Sequence, residues 1–303
     1  MIKSFIIKRI KNLSSRELDD LKIQNGKLFE NNIQNKLKSY KNINEIFFKV
    51  FSQDYEDGIL QYLLKSLNIS SVKFVEIGTQ DYSESNTRYI FETMRCEGLI
   101  IDPTANLENL IKKRLKLWQN NLKIFNGYVS DQNINTILKE TSFENELDLF
   151  SIDIDGIDYW ILKKLKKKIS KIFIAEYNPY FGPNKEICAP NIENFDRFRY
   201  HKSGFCFGMS IKALINLMNS KGYSFIGTNR LNCNAFFLRK DLINKISLKI
   251  PALDDLSTYS DVTFKVLKKN NKLVSHKELE EEIKKIYVFN IKKNKIEKFS
   301  LIK

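Results

Sequence analysis

Cysteine is scarce in this 303-residue chain, which has four. Cys96, Cys188, Cys206 and Cys233 make neither a CxxC pair nor a Cys/His zinc spacing, so a disulfide framework and a structural zinc are both excluded. Free thiols in a reducing compartment fit this usage. No uncharged apolar run reaches the ~18–20 residues needed to span a bilayer. The first ten residues hold only a short apolar stretch, broken by Lys3, Lys8 and Arg9, with no small-residue cleavage site after it. A cytoplasmic protein without a transmembrane segment is the expectation. Histidine is rarer still, with His201 and His276 alone, so imidazole chemistry has two places at most.

What is present describes a folded chain. Hydrophobic residues make up 43%, aromatics 12% and charged residues 28%, far from a disordered composition. Single cores stop growing near ~250–300 residues, so one main α/β core with appended segments is the simpler organisation. The formal charge of +14 permits anionic partners. The lysines, however, are spread along the chain among many Asn and Ile residues, which reads as a compositional bias rather than a patch. No nucleic-acid partner is expected, and a homo-oligomer is compatible with the sequence.

Residues 1–45 are rich in Lys, Asn, Glu and Leu with weak helical periodicity, and read as an accessory helical arm. From Val72 short β-branched runs alternate with longer amphipathic stretches, the pattern of βαβ units feeding a parallel sheet. Five such runs are predicted strands: Lys73–Gly78, Leu99–Asp102, Lys123–Val129, Leu147–Ile154 and Lys171–Tyr177. Their nearly continuous apolar character suits strands covered on both faces. Helices are predicted over 83–96, 106–118 and 132–140, from Asp158 onward, and over 209–221. Between the fifth strand and the last of these helices, Asn178–Gly208 holds three of the five prolines, a lid or substrate-binding insertion. Tyr223–Thr228 and Ala235–Arg239 read as an antiparallel edge. The main domain is therefore placed at 46–245, followed by an irregular, Lys-rich extension at 246–303 with a solvated helix near 278–286.

In a doubly wound sheet, ligands bind outside the carboxyl ends of the strands. The first predicted strand ends at Gly78 and runs into a polar turn, Thr79–Thr87. The second ends at Asp102, 24 residues beyond Gly78, near the ~20 at which a carboxylate reaches the ribose of a bound nucleoside. The close-approach glycines of a GxGxxG turn are missing, since Gln80 and Tyr82 follow Gly78, and this disfavours a pyrophosphate. A nucleoside joined to an amino acid, as in S-adenosyl-L-methionine (SAM), fits better than NAD. Glu76, in an otherwise apolar strand, must serve a ligand or a backbone N–H.

The stretch FSQDYEDGILQYLL (51–64), followed by FVEIG, SNT, GLIIDP, LDLFSIDIDGIDYWIL, IAEYN and NAFFLR, resembles FkbM-like and related bacterial sugar O-methyltransferases over about residues 50–240. The resemblance implies a Rossmann-like class I methyltransferase fold: a seven-stranded, mostly parallel sheet with an antiparallel edge strand and helices on both faces. It implies SAM contacts at Glu76, Gly78, Asn86 and Thr87, at Asp102 for the ribose, and at Tyr128, Val129 and Ser130 near the adenine. Gln53 and Asp57 would close the methionine end.

Ser151–Tyr159 sets Asp153, Asp155 and Asp158 at the end of the fourth strand, and IAEYN sets Glu176 and Asn178 at the end of the fifth. Alternation sends Asp153 and Asp155 to one face, and Glu176 and Asn178 likewise. Such oxygen-only groups suit Mg²⁺ or another divalent cation, and the set Asp153, Asp155, Glu176 and Asn178 is similar to that of metal-dependent catechol-type O-methyltransferases. The reading without a metal gives one Asp to the SAM amino group, Asp158 to capping the next helix, and proton removal to Glu176 or a loop residue. Asp153, Glu176 and His201 are the catalytic candidates, His201 because imidazole titrates near neutral pH. Tyr177, Tyr180, Phe181 and Tyr200 form a candidate stacking wall for a sugar, and Arg197, Arg199 and Lys202 candidate phosphate contacts. The expected reaction is methyl transfer from SAM to a hydroxyl of a sugar, either of a capsule or surface polysaccharide or of a nucleotide-activated precursor. The alternatives are an N- or RNA methyltransferase and a non-catalytic SAM-binding module.

Overall fold

The computed structural model describes residues 2–115, 117–260 and 276–302. A long helix α1 (Ile2–Lys36) precedes α2 (Glu56–Ser66) and a βα series: β1 (Ser71–Ile77), α3 (Arg88–Thr93), β2 (Arg95–Asp102), α4 (Leu107–Arg114), β3 (Asn121–Asn126), α5 (Ile134–Glu140), β4 (Leu147–Ile152), α6 (Asp158–Lys164) and β5 (Ser170–Glu176). A two-residue strand β6 (Ile187–Cys188) and the single turn α7 (Arg197–Tyr200) lie in the following segment. After them come α8 (Ile211–Ser220), β7 (Tyr223–Thr228) and β8 (Asn234–Arg239), then α9 (His276–Ile283), β9 (Tyr287–Asn290) and β10 (Lys295–Lys298).

Seven strands form one sheet in the order β3-β2-β1-β4-β5-β8-β7. The first five are parallel; β8 is antiparallel to both β5 and β7, so the reversed strand sits one place inside the edge. This is the architecture the resemblance implied. Alternate residues of each strand feed opposite cores. Val75, Ile77, Phe150, Ile152, Phe173 and Ala175 meet α5, α6 and α8 on one face. Phe74, Leu149, Ile172, Ile174 and Phe236 meet α2, α3 and α4 on the other. Each such fully buried side chain is worth about 1.5–3 kcal/mol, and the two-sided demand explains the nearly continuous apolar runs.

The two flanking segments pack onto the main body. The N-terminal arm is a helix that docks: Ile33 and Ile43 belong to the same core as Phe48 and Leu60, and Gly26 gives room to Tyr89, whose ring atoms would lie within 2.8 Å of an added Cβ. Asp19 pairs with the buried Arg88 across this junction. The described residues from 276 onward, expected to be irregular, hold regular structure. β9 pairs with β10 and with β6, making a second sheet in the order β10-β9-β6. Its core joins Phe181, Ile187 and Phe205 of the insertion to Ile283, Ile286, Val288 and Ile302. The insertion and the C-terminal segment are thus one packed layer, built from strands of two to four residues, too short to show a period.

Candidate active site

A cavity of about 1040 Å³ opens at the carboxyl ends of β1, β2, β4 and β5, and the insertion forms its far wall. Its inner end is set by Gly78. This residue has φ +85°, and a Cβ there would stand 1.5 Å from the carbonyl oxygen of Asp153. Only glycine lets the ends of β1 and β4 come this close. Asp102, at the tip of β2, accepts the N–H of Gln80 at 2.7 Å on Oδ2 and that of Thr104 at 2.8 Å on Oδ1. It therefore braces the turn after β1. A carboxylate offers about four acceptor sites, so each oxygen keeps one for a ligand in the cavity it lines.

Of the cofactor residues expected from the sequence, Gln53, Gly78, Asp102, Tyr128, Val129, Ser130 and Asp153 line the cavity. Glu76, Asn86, Thr87 and Asp57 do not; they form a layer behind the wall. Glu76 accepts from Ser85 Oγ at 2.6 Å, Asn86 N at 2.9 Å and Thr87 N at 3.0 Å, and also from the Thr87 hydroxyl. Its carboxylate is spent on the loop that enters α3, so its role is to hold that backbone. The Asn86 side chain donates to Ser151 Oγ, and the Thr87 hydroxyl also meets that of Tyr82. Asp57, fully buried, gathers the N–H groups of Val50, Phe51 and Ser52 on Oδ2, fixing the segment that carries Gln53 to the cavity. Burial raises Asp57 and Glu76 above the usual carboxylate range, with these donors opposing the shift.

The reaction end gathers Asp153, Asp155 and Glu176, with one oxygen of each within 4.8 Å of the others. Asp153 follows β4, its N–H bonded to Ile77 O. Asp155 sits in a left-handed turn, φ +53°, that turns its carboxylate to Arg197 of the insertion, with which it pairs. Glu176 closes β5, and its Oε2 is buried without a hydrogen-bond partner. Burial, then the charges of neighbouring carboxylates, raises both Asp153 and Glu176. Carboxylates this close cannot all ionise cheaply, so the protonated forms are favoured while the site is empty. Asp158 stands apart as a brace, accepting the N–H groups of Ile154 and Gly156 at 3.0 Å. Burial pushes it up to about 6.

Asn178 is not brought to this cluster. Regular alternation stops with β5 at Glu176, and the Asn178 side chain turns into the insertion. There Nδ2 donates to Phe205 O and Phe207 O, and Oδ1 accepts the Tyr180 N–H. Three carboxylates remain, and their convergence with an unpartnered buried oxygen fits a hard divalent cation. His201 is near but outside the lining; its Nδ1 lies 2.7 Å from Ser203 Oγ, in a turn whose Ser203 and Gly204 do line the cavity. The aromatic wall also differs from expectation. Tyr177 and Phe181 are fully buried packing residues, and the Tyr200 hydroxyl donates to Tyr287 O. Tyr180 does line the cavity, together with Phe195, Phe198, Phe205 and Phe207. The run FDRFRYHKSGFCFG announced aromatics in that loop, but only the fold showed which ones point inward. Gln80 and Cys233, also on the wall, carried no signal in the sequence.

No family model matches the chain, and no curated protein matches it. Among solved structures, a fibrillarin pre-rRNA processing protein from Methanococcus jannaschii is similar over 56% of this chain and 67% of its own, at 10% identity and a TM-score of 0.36. An S-adenosylmethionine-dependent methyltransferase from Clostridium acetobutylicum is similar over 60% of this chain and 89% of its own, at 9% identity and a TM-score of 0.38. At these values the functional reading rests on the residues of the cavity itself.

Proposed function

We propose that this chain is a SAM-dependent O-methyltransferase acting on a hydroxyl of a sugar, the acceptor of a capsule or surface polysaccharide or of its precursor. One observation carries the reading: one cavity joins the strand ends at Gly78 and Asp102 to the converging carboxylates Asp153, Asp155 and Glu176. SAM, when bound, supplies an electrophilic methyl on a sulfonium. Asp102 would accept the ribose hydroxyls with its remaining lone pairs, and Tyr128, Val129 and Ser130, which line the same cavity, would flank the adenine. Gly78 and Gln53 lie where the methionine end would be held. The Asp153/Glu176 pair, in its ionised form, takes the acceptor proton as the new O–C bond forms and the S–C bond breaks, leaving the thioether of S-adenosylhomocysteine (SAH). In the alternative with a divalent cation, Asp153, Asp155 and Glu176 would be its ligands in place of acting as the base, and the cation would lower the pKa of a bound hydroxyl. The phenylalanines of the insertion exclude water from the reacting atoms.

The test is transfer of labelled methyl from SAM to a panel of sugars and nucleotide-activated sugars, with and without EDTA, beside calorimetry with SAH. SAH binding and a labelled sugar are expected; turnover that survives EDTA assigns proton removal to the carboxylates, and turnover lost in EDTA assigns it to the cation they would hold. Binding without transfer to any hydroxyl would leave a SAM-binding module, and absence of SAH binding would end the proposal.

A further inference from the structure

Around this cavity the charge of the chain is inverted. Lys and Arg outnumber Asp and Glu by 50 to 36 overall. Yet among the described residues the wall presents six carboxylates, Asp102, Asp131, Asp153, Asp155, Glu176 and Glu193, against one cation, Arg197. That cation is already matched, since its guanidinium pairs with Asp155. Glu176 Oε2 is buried within the group with no hydrogen-bond partner among the described residues, which leaves a polar atom for something the cavity will hold. SAM brings one net positive charge and a divalent ion two, so the wall stays negative with both in place.

The acceptor side adds a second feature. Tyr180, Phe195, Phe198, Phe205 and Phe207 line it, and two of these rings already face a cation: the Arg197 guanidinium lies 4.9 Å from the Phe198 centroid and 5.0 Å from that of Phe207. Gly204, at φ +69°, makes room for the Phe198 ring, which a Cβ would meet at 2.4 Å. Rings and carboxylates lining one cavity form an environment for an organic ammonium, which donates N–H to oxygen and lies against the π faces. A phosphate in the same space meets like charge with a single engaged arginine.

We infer that the acceptor bears a positive charge, so that the substrate class is an amine-bearing sugar rather than a neutral or phosphorylated one. This rests on the methyltransferase reading and narrows its acceptor; it holds with or without a metal.

The full chain saturated with SAH is titrated calorimetrically with glucosamine, glucose and glucose 6-phosphate at about pH 6.5, where the amine is protonated. Glucosamine is expected to bind about tenfold more tightly than glucose, with a preference that shrinks as salt is raised, and glucose 6-phosphate more weakly than glucose. Glu193→Gln is expected to reduce the glucosamine preference about twofold or more while leaving SAH affinity in place. Equal affinity for glucose and glucosamine, tightest binding of the phosphate, or no binding of any probe to the SAH complex overturns the inference. A chain that does not bind SAH at all fails earlier and takes the methyltransferase reading with it.

Discussion

Asp102→Asn separates the two jobs assigned to Asp102. The substitution keeps the shape of the side chain and replaces one oxygen with NH₂. The two oxygens now accept from Gln80 N at 2.7 Å and Thr104 N at 2.8 Å, and the residue is buried. Whichever N–H faces the new amide loses its acceptor, at a cost of about 1–3 kcal/mol. For a chain of this size that is a Tm lower by about 2–10 °C. The nucleoside site loses more than this bracing. Hydrogen bonds to a charged acceptor contribute about 1.5–3 kcal/mol each, against about 1 for neutral ones. Two ribose hydroxyls facing an amide in place of a carboxylate therefore lose about 2–3 kcal/mol, or roughly 30–150-fold in the Kd for SAH. Calorimetry with SAH and a thermal melt of the ligand-free protein read the two effects apart. A lowered Tm with SAH affinity kept within about threefold would mean that Asp102 only braces the turn, and the nucleoside assignment would be wrong.

Three further perturbations follow from the same geometry. Gly78→Ala forces a left-handed φ that costs an L-residue about 1–2 kcal/mol and sets its Cβ 1.5 Å from Asp153 O; SAH binding should be lost in calorimetry, and wild-type affinity would refute the placement. Asp153 and Glu176 are raised, and Asp158 is pushed up to about 6, so between about pH 4 and these folded values the native state holds more protons than the unfolded chain, and stability falls as pH rises. The ligand-free protein should melt lower at about pH 8 than at about pH 6, and Asp153→Asn should flatten that slope; an unchanged slope in the variant melts counts against protonated carboxylates in the empty site. Val288→Asp sets an unpaired charge in the core that ties the insertion to the C-terminal sheet. Turnover should be lost while SAH affinity stays within about threefold, and a collapse of both would show that the cavity does not divide as argued.

The half of the site built on strand ends was legible because its causes are local. KFVEIG and GLIID are apolar runs that end in polar residues, and a parallel sheet places such endings side by side, so Gly78, Asp102, Asp153 and Glu176 were found by position alone. Glu76 was flagged for the right physical reason, a carboxylate in an apolar strand. Its partners proved to be the backbone and hydroxyls of residues 85–87, a choice that depends on how that loop folds back. Asn178 was misplaced because alternation was carried two residues beyond the end of β5. The pairing of Ile187 with Asn290 joins segments a hundred residues apart through strands too short to carry a pattern, which is why the C-terminal layer looked irregular.

Charge was the least transferable reading, and the reason is physical. A net charge of +14 sums residues that live in different solvents. Lys keeps its ammonium in water on a flexible stem, so most of the positive charge belongs to the outer surface and says little about a cavity. Carboxylates are short and can be held by backbone N–H groups, as Asp102 is at the end of β2 and Asp158 at the start of α6. A chain can therefore be basic in sum and acidic where it binds. The polarity of the wall, not that of the whole chain, selects the ligand: it favours a sulfonium cosubstrate and disfavours the polyanion that the overall charge would have suggested. If raising the ionic strength left binding of a cationic probe to the SAH complex unchanged, this separation of inner from outer charge would lose its basis.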